Sequence, residues 1–322
     1  MRILSCSCLL LTLLATAPAT RAGAQSRAAA RASDGLAALD AGITARIAQD
    51  SVREPLAVGL VLLDPVSGLA LLHDADRRMH AASTMKLPVL IELARRVNAG
   101  DEGWDDSLLV RNRFASIVDG SPYTLDRADD TDSTLYALEG RRVSRRRLAE
   151  LMITRSSNLA TNLLIGELDP KRVQATARVL GADSIEIRRG VEDGKAYAAG
   201  LNNTTTARDL ALLLDAVARG AAAPPAGTTE ILRILGAQEI NDRIPAGLPP
   251  GTRVAHKTGE ITGISHDAAL VYPPDGRPYV LVVLTRGYAD GTCAARAIAD
   301  LSRLAWSAVL EARATTTTTS LR

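Results

Sequence analysis

The sequence predicts an α/β fold of the α+β type: an antiparallel sheet formed from both chain ends and flanked by helices, with an all-helical region inserted. Strand-like apolar runs occur at 56–63 and again at 252–258, 264–272 and 279–285. Between them, over about 83–235, apolar residues recur mostly at helical spacing. Strands at both termini with helices between them fit a single sheet built from the two ends of the chain.

The elements follow in order. Residues 1–24 read as a secretory signal, with Arg2, the apolar run Leu9-Leu10-Leu11-Thr12-Leu13-Leu14-Ala15, and Ala22-Gly23-Ala24 as the cleavage signal. That run is too short to span a bilayer, so a secreted or periplasmic protein with no stable membrane anchor is expected. Residues 25–35 read as a linker, and Asp34 can cap a helix to about Gln49. The first strand turns at Asp64-Pro65-Val66-Ser67-Gly68 and returns over 69–73. A helix begins at Ser83 and stops at Gly100, with Pro88 near its first turn. Residues 101–140 are acidic and irregular. Ser144 is a good N-cap for the next helix.

The chain then breaks at Arg155-Ser156-Ser157-Asn158, ahead of a strongly apolar helix. Asp169-Pro170 starts another helix, which ends at Gly181. Residues 182–203 form a long loop, a kind that is often functional inside a compact domain. Asn203 or Thr204 caps a Leu-rich helix broken at Pro224-Pro225, and a shorter helix covers about 228–235. Pro273-Pro274-Asp275-Gly276 turns the last hairpin, and a helix over about 292–310 closes the domain. The domain is expected over 36–312, with 313–322 and its threonine run as a disordered tail.

Composition narrows the function. With 47% apolar and 3% aromatic residues, the core must be built from Ala, Leu and Val. Removing 1–24 takes away Arg2 and Arg21 and no acid, leaving 36 basic against 36 acidic side chains. That balance offers no nucleic-acid surface. Only Cys293 would remain of the cysteines, so no intramolecular disulfide can form. It is expected to pack in the C-terminal helix, with no histidine near enough in sequence to make a catalytic thiol. The four histidines have neither H-x-x-x-H nor H-x-H spacing, so no metal or other cofactor is expected. No G-x-S-x-G elbow supports a Ser/His/Asp triad. A monomer is expected.

The chain writes its positive charges as 34 arginines and only four lysines. Arginine stays protonated, whereas a desolvated lysine can lose its proton and serve as a base. Lys86 closes Ser83-Thr84-Met85-Lys86, a spacing that puts both side chains on one helix face. Lys257-Thr258-Gly259 lies on an expected strand, where Gly259 admits a close backbone approach and Lys257 with Thr258 suits a carboxylate. A helix start capped by serine and an exposed strand end would explain either motif alone. Ser156-Ser157-Asn158 alone would read as a polar turn.

The order S-x-x-K, S-x-N, K-T-G resembles the set found in class A β-lactamases and penicillin-binding proteins. The stretches Ser157-Asn158-Leu159-Ala160-Thr161-Asn162-Leu163-Leu164 and Ile244-Pro245-Ala246-Gly247 resemble class A enzymes in particular, and the similarity covers about 56–310. The resemblance implies a β-lactamase/transpeptidase-like fold. It makes Ser83 the acylated nucleophile, Lys86 a base, and Ser156 the proton shuttle to the leaving nitrogen. Asn158 would bind the substrate's amide side chain, and Lys257 and Thr258 its carboxylate. The backbone amides of Ser83 and Glu260 would form the oxyanion hole beside Gly259. Glu192 takes the place of the glutamate that activates the deacylating water, about one residue late, and Ala196 stands where an asparagine normally helps it. Asn202 and Asn203 are possible substitutes.

Three further positions depart from the class A pattern. Ser157 replaces an aspartate. Glu260 replaces a small residue and can repel an anionic substrate. His266 stands where many members have a carboxylate-binding arginine; it reads either as a substrate ligand or as a packed histidine, with Arg286 the alternative cation. The implied activity is hydrolysis of a β-lactam amide through a Ser83 acyl-enzyme. The alternative is a peptidoglycan DD-peptidase, or another serine hydrolase of this fold, that turns β-lactams over slowly. A non-enzymatic binding protein is the third reading. The expected partner is a small β-lactam or a peptidoglycan peptide.

Overall fold

The computed structural model describes residues 19–50, 56–100, 103–288 and 290–320; residues 1–18, which hold most of the expected signal, lie outside it. The chain begins with helix α1 (Ala19–Asp50), followed by β1 (Ala57–Asp64), β2 (Leu69–His73), β3 (Met79–His80) and α2 (Lys86–Ala99). Short strands β4 (Ser107–Leu109), β5 (Phe114–Ala115), β6 (Pro122–Tyr123) and β7 (Arg142–Ser144) occupy the stretch read as irregular. Then come α3 (Arg145–Thr154), α4 (Asn158–Leu168), α5 (Pro170–Val179), α6 (Gly194–Ala198), β8 (Thr204–Thr205), α7 (Ala207–Ala218) and α8 (Pro225–Gly236). The chain closes with β9 (Arg253–Ile261), β10 (Ile264–Tyr272), β11 (Tyr279–Arg286) and α9 (Gly291–Ser320).

The main sheet runs β2-β1-β11-β10-β9, each pair antiparallel. The N-terminal hairpin joins the C-terminal strands where β1 meets β11, with Gly59 opposite Leu284 and Val61 opposite Val282. The expected sheet from both chain ends is therefore present. Strands β1 and β11 are buried on both faces, which explains their unbroken apolar runs. One face packs on α1 and α9 through Leu39, Ile43, Ile298, Leu301 and Val309. The other meets the helical region, where α2 is sunk among neighbours with Leu87, Leu90, Ile91 and Leu93 fully buried.

Local signals explain most boundaries. Ser144 caps α3 by accepting from Arg147 N at 3.3 Å, and Asp169 caps α5 just before Pro170. The Leu-rich helix α7 starts two residues later than expected: Thr206 caps it, accepting from Asp209 N at 3.0 Å. Asn203, expected as a cap, instead ties down the preceding loop. Residues 25–35, expected as a linker, lie within α1.

The expected tail also needs correcting. Residues 313–320 continue α9, and Arg313 is buried against Asp64 at 2.6 Å and Asp275 at 2.8 Å, bonding α9 to two turns of the sheet. Cys293, expected to be packed, is exposed on the first turn of α9. Among the described residues no helix is long and apolar enough to cross a membrane.

Candidate active site

Ser83 sits in a 3-10 turn, Ala82–Met85, that runs directly into α2. The turn is closed by Thr84, whose N and Oγ1 both donate to Ala81 O, at 3.1 and 2.5 Å. The α-helix expected to begin at Ser83 thus begins about one turn later, at Lys86, with Ser83 in the 3-10 turn before it. Strand β9 presses on this turn at Gly259. A Cβ built there would stand 3.2 Å from Ser83 N and 3.1 Å from Thr84 N, so any larger residue would push the strand off this turn.

Lys86 and Lys257 are both completely buried. The Lys86 amine donates to Ser156 O at 2.5 Å, Ser156 Oγ at 3.1 Å and Asn158 Oδ1 at 2.9 Å. The Lys257 amine reaches the same Ser156 Oγ at 3.1 Å and Thr258 O at 2.9 Å. One hydroxyl therefore bridges two amines brought together from α2 and β9. Burial pushes the Lys86 amine down to about 7, against the opposing pull of Asp130 and Glu192. Burial, and next the charge of Lys86, also push Lys257 well below the usual lysine range. Both amines are depressed, so burial alone does not divide them into one neutral and one charged.

Among the described residues five non-glycine residues adopt positive φ, and three of them stand at this site: Ala82 beside Ser83, Ser156 itself and Glu192, at φ 46°, 60° and 60°. Such conformations are strained for residues other than Gly, Asn and Asp, and they persist where the surroundings over-determine them. At Ser156 the surroundings are visible. The Lys86 bond holds its carbonyl, and Ser157 N donates to Leu151 O at 3.0 Å.

Glu192 lies on the loop 187–203 and opens to solvent. Its carboxylate accepts from Asn158 Nδ2. Asn158 is thereby oriented, with its oxygen toward Lys86 and its nitrogen toward Glu192. Desolvation raises the Glu192 pKa; the Asn158 bond opposes this, and the nearby acids Asp130 and Asp129 add to it. Neither Asn202 nor Asn203 bonds to Glu192. The Asn203 amide instead accepts from Arg188 N and Arg189 N at 2.8 and 3.2 Å and donates to Arg189 O at 2.9 Å. Asn202 Oδ1 accepts from Arg189. Asn162 grips the loop from α4, accepting from Val191 N at 2.6 Å and donating to Val191 O at 3.0 Å.

His266 is not a substrate ligand in this arrangement. It is completely buried on β10, where Nδ1 accepts from Thr285 N at 3.2 Å and Nε2 reaches His80 O at 2.9 Å. Burial pushes its pKa down to about 4, so it is neutral near pH 7. It ties the His80 segment, which leads into the Ala82–Met85 turn, to β10. Arg286 is exposed at the end of β11. The guanidinium whose field reaches Lys257 belongs to Arg243, which sequence reading passed over although it directly precedes Ile244-Pro245-Ala246-Gly247.

Asp130 was also missed, hidden in the acidic stretch. It accepts from the backbone amides of Asn158 and Leu159 at 3.0 Å and from Tyr136 Oη at 3.0 Å, fixing the first turn of α4. Among the described residues no group of three His, Cys, Asp or Glu is placed to hold a metal. What converges is two buried amines, a shared hydroxyl and, through Asn158, one carboxylate, with the half-buried Ser83 three residues ahead of Lys86, a set suited to acyl transfer.

Known proteins carry the same framework. The sequence profile of the Beta-lactamase enzyme family matches residues 40–309. Beta-lactamase AST-1 of Nocardia asteroides is 30% identical over 232 residues, 71% of each chain. A β-lactamase of Sphaerobacter thermophilus has a structure that superposes with a TM-score of 0.72 at 29% identity, covering 84% of this chain and 98% of that one. The protein PBP-A superposes with a TM-score of 0.72 at 27% identity, over 84% and 96% of the two chains. With the profile spanning nearly the whole described chain and the same architecture present, this protein belongs to the β-lactamase enzyme family.

Proposed function

We propose that the protein is a serine β-lactamase working through a Ser83 acyl-enzyme. The observation that carries this reading is the pair of buried amines sharing Ser156 Oγ, with Lys86 depressed to about 7. An amine with that pKa is substantially neutral near pH 7 and can accept the Ser83 proton. Ser83 Oγ attacks the lactam carbonyl carbon while its proton passes to Lys86. The developing oxyanion lies between the amides of Ser83 and Glu260, which the close approach at Gly259 supports. As the carbon–nitrogen bond breaks, Ser156 Oγ delivers a proton to the nitrogen and is reprotonated from the amines. Lys257 and Thr258 hold the substrate, and Asn158 receives its amide side chain. Glu192 then takes a proton from water, the water oxygen attacks the ester, and Ser83 leaves with its proton restored.

A peptidoglycan DD-peptidase with slow β-lactam turnover is the second reading. It is favoured by Glu192 standing at positive φ with its carboxylate already tied to Asn158. Steady hydrolysis of a chromogenic cephalosporin, many turnovers per enzyme, is the expected result. A single stoichiometric burst leaving a stable adduct would select the DD-peptidase. The signal read at residues 1–24 fits export to the periplasm or beyond, where either substrate is met.

A further inference from the structure

Glu260 takes part in this site in a way that its backbone role does not explain. Side chains alternate along a strand, so Thr258 and Glu260 share a face of β9. Over that face lies Arg243, with a side chain only 2% exposed. Its Nε donates to Ser265 Oγ at 2.8 Å, on the residue paired with Glu260 across the sheet, and one terminal nitrogen bonds Asp242 at 2.7 Å. The other terminal nitrogen is taken by the Glu260 carboxylate. Arg243 also stands close enough for its charge to bear on Lys257. The cation next to the K-T-G strand is therefore already paired with two carboxylates of the same chain. Beyond it opens a cleft of about 560 Å3 whose wall carries the acids Asp242, Glu260, Asp290 and Asp300 and the cations Arg296 and Arg303.

From this arrangement we infer that Glu260 is a specificity residue: it occupies Arg243 as an internal carboxylate and disfavours substrates with a free carboxylate on the leaving-group side of the scissile amide. The inference rests on the acyl-transfer reading above. An incoming carboxylate must displace Glu260 from Arg243 or approach Lys257 and Thr258 past its charge, and like charges at such range are costly. A leaving group that is neutral, cationic or has its carboxylate masked meets no such barrier. Carboxylate-bearing β-lactams are therefore turned over under a penalty, relative to the same compound with that carboxylate esterified or amidated, which Glu260 imposes.

Benzylpenicillin and its methyl ester test this, because they differ only in that carboxylate. The readout is the second-order acylation rate of each with the wild-type protein, Glu260→Gln and Glu260→Ala. The acid-over-ester ratio is expected to rise about tenfold in both variants and to stay near the wild-type value in Glu260→Asp. A rise above threefold in Glu260→Gln and Glu260→Ala supports the inference; a ratio within threefold of wild type, or lower, overturns it. An unchanged ratio in proteins that do acylate removes only the role of Glu260. No adduct with either compound in any variant would remove the acyl-transfer reading itself.

Discussion

The acylation cluster and the loop carrying Glu192 lie within hydrogen-bonding reach of each other, yet they are held by different means. Lys86 and Lys257 come from the first residue of a buried helix and the middle of a sheet strand, and neither is exposed at all. Their positions follow from regular backbone hydrogen bonding and apolar packing. The loop 187–203 has one short helix, and it is fastened mainly by side-chain amides to backbone: Asn162 to Val191, Asn203 to Arg188 and Arg189. The first device fixes atoms through the whole core; the second through a few local bonds. On the proposed roles, acylation is therefore the robust half of the reaction, and deacylation the half that a few substitutions can retune.

Ser83→Ala breaks the comparison from the robust side and has the largest expected effect. Removing the nucleophile is expected to abolish covalent labelling by a β-lactam and to cut turnover by roughly 10³-fold or more. Intact-protein mass spectrometry and steady-state rates read both. Retained labelling would place the nucleophile elsewhere.

Glu192→Gln sharpens the comparison from the loop side. It keeps the size of the side chain and an acceptor for Asn158 Nδ2 while removing the base. Deacylation is expected to slow by about 10²- to 10⁴-fold, with acylation falling far less, so the acyl-enzyme accumulates and is seen by mass. Equal losses in both steps would show that Glu192 serves acylation, through its effect on Lys86, rather than the water.

The same division decides what the sequence made legible. The sheet and its flanking helices were readable because buried strands write continuous apolar runs and helix starts write Ser, Thr or Asp followed by periodic leucines. The meeting of Lys86, Ser156 and Lys257 was foreshadowed because each lies in a short motif of neighbouring residues. Arg243 and Asp130 were not, since each acts across a long sequence separation: Arg243 lies 17 residues from Glu260 and Asp130 lies 28 from Asn158. No periodicity or spacing marks such a pair. His266 was readable only as two alternatives, because its position on β10 does not reveal that Thr285 N and His80 O already engage its ring. The residues holding the Glu192 loop were ambiguous for a related reason. A loop can be tied by any nearby amide: Asn162 and Asn203 both hold this one by its backbone, and neither Asn202 nor Asn203 reaches Glu192, the role offered for them.

The smallest expected effect tests how firmly the core holds its amines. In the folded chain Lys86 titrates at about 7, against 10.5 for an ordinary lysine. Between those values the unfolded chain binds a proton that the folded chain lacks, so the group favours folding more as pH rises across that window. Below pH 7 the folded state must carry a buried charge, and there the cost of Lys86 is greatest. Lys86→Met removes that titration and also leaves Ser156 O, Ser156 Oγ and Asn158 Oδ1 without their donor. The absolute change in melting temperature mixes both effects, whereas its pH dependence isolates the charge. The melting temperature of Lys86→Met relative to wild type is expected to fall by roughly 10 °C from pH 7 to pH 10 before any compensation, on the scale of about 2–4 °C per kcal/mol for a domain of this size. Lys257, freed of a repelling neighbour, regains part of its affinity for a proton and so blunts the slope. A difference that stays flat with pH would mean that Lys86 keeps its proton in the folded protein, and the base for acylation would then have to be sought outside the pair.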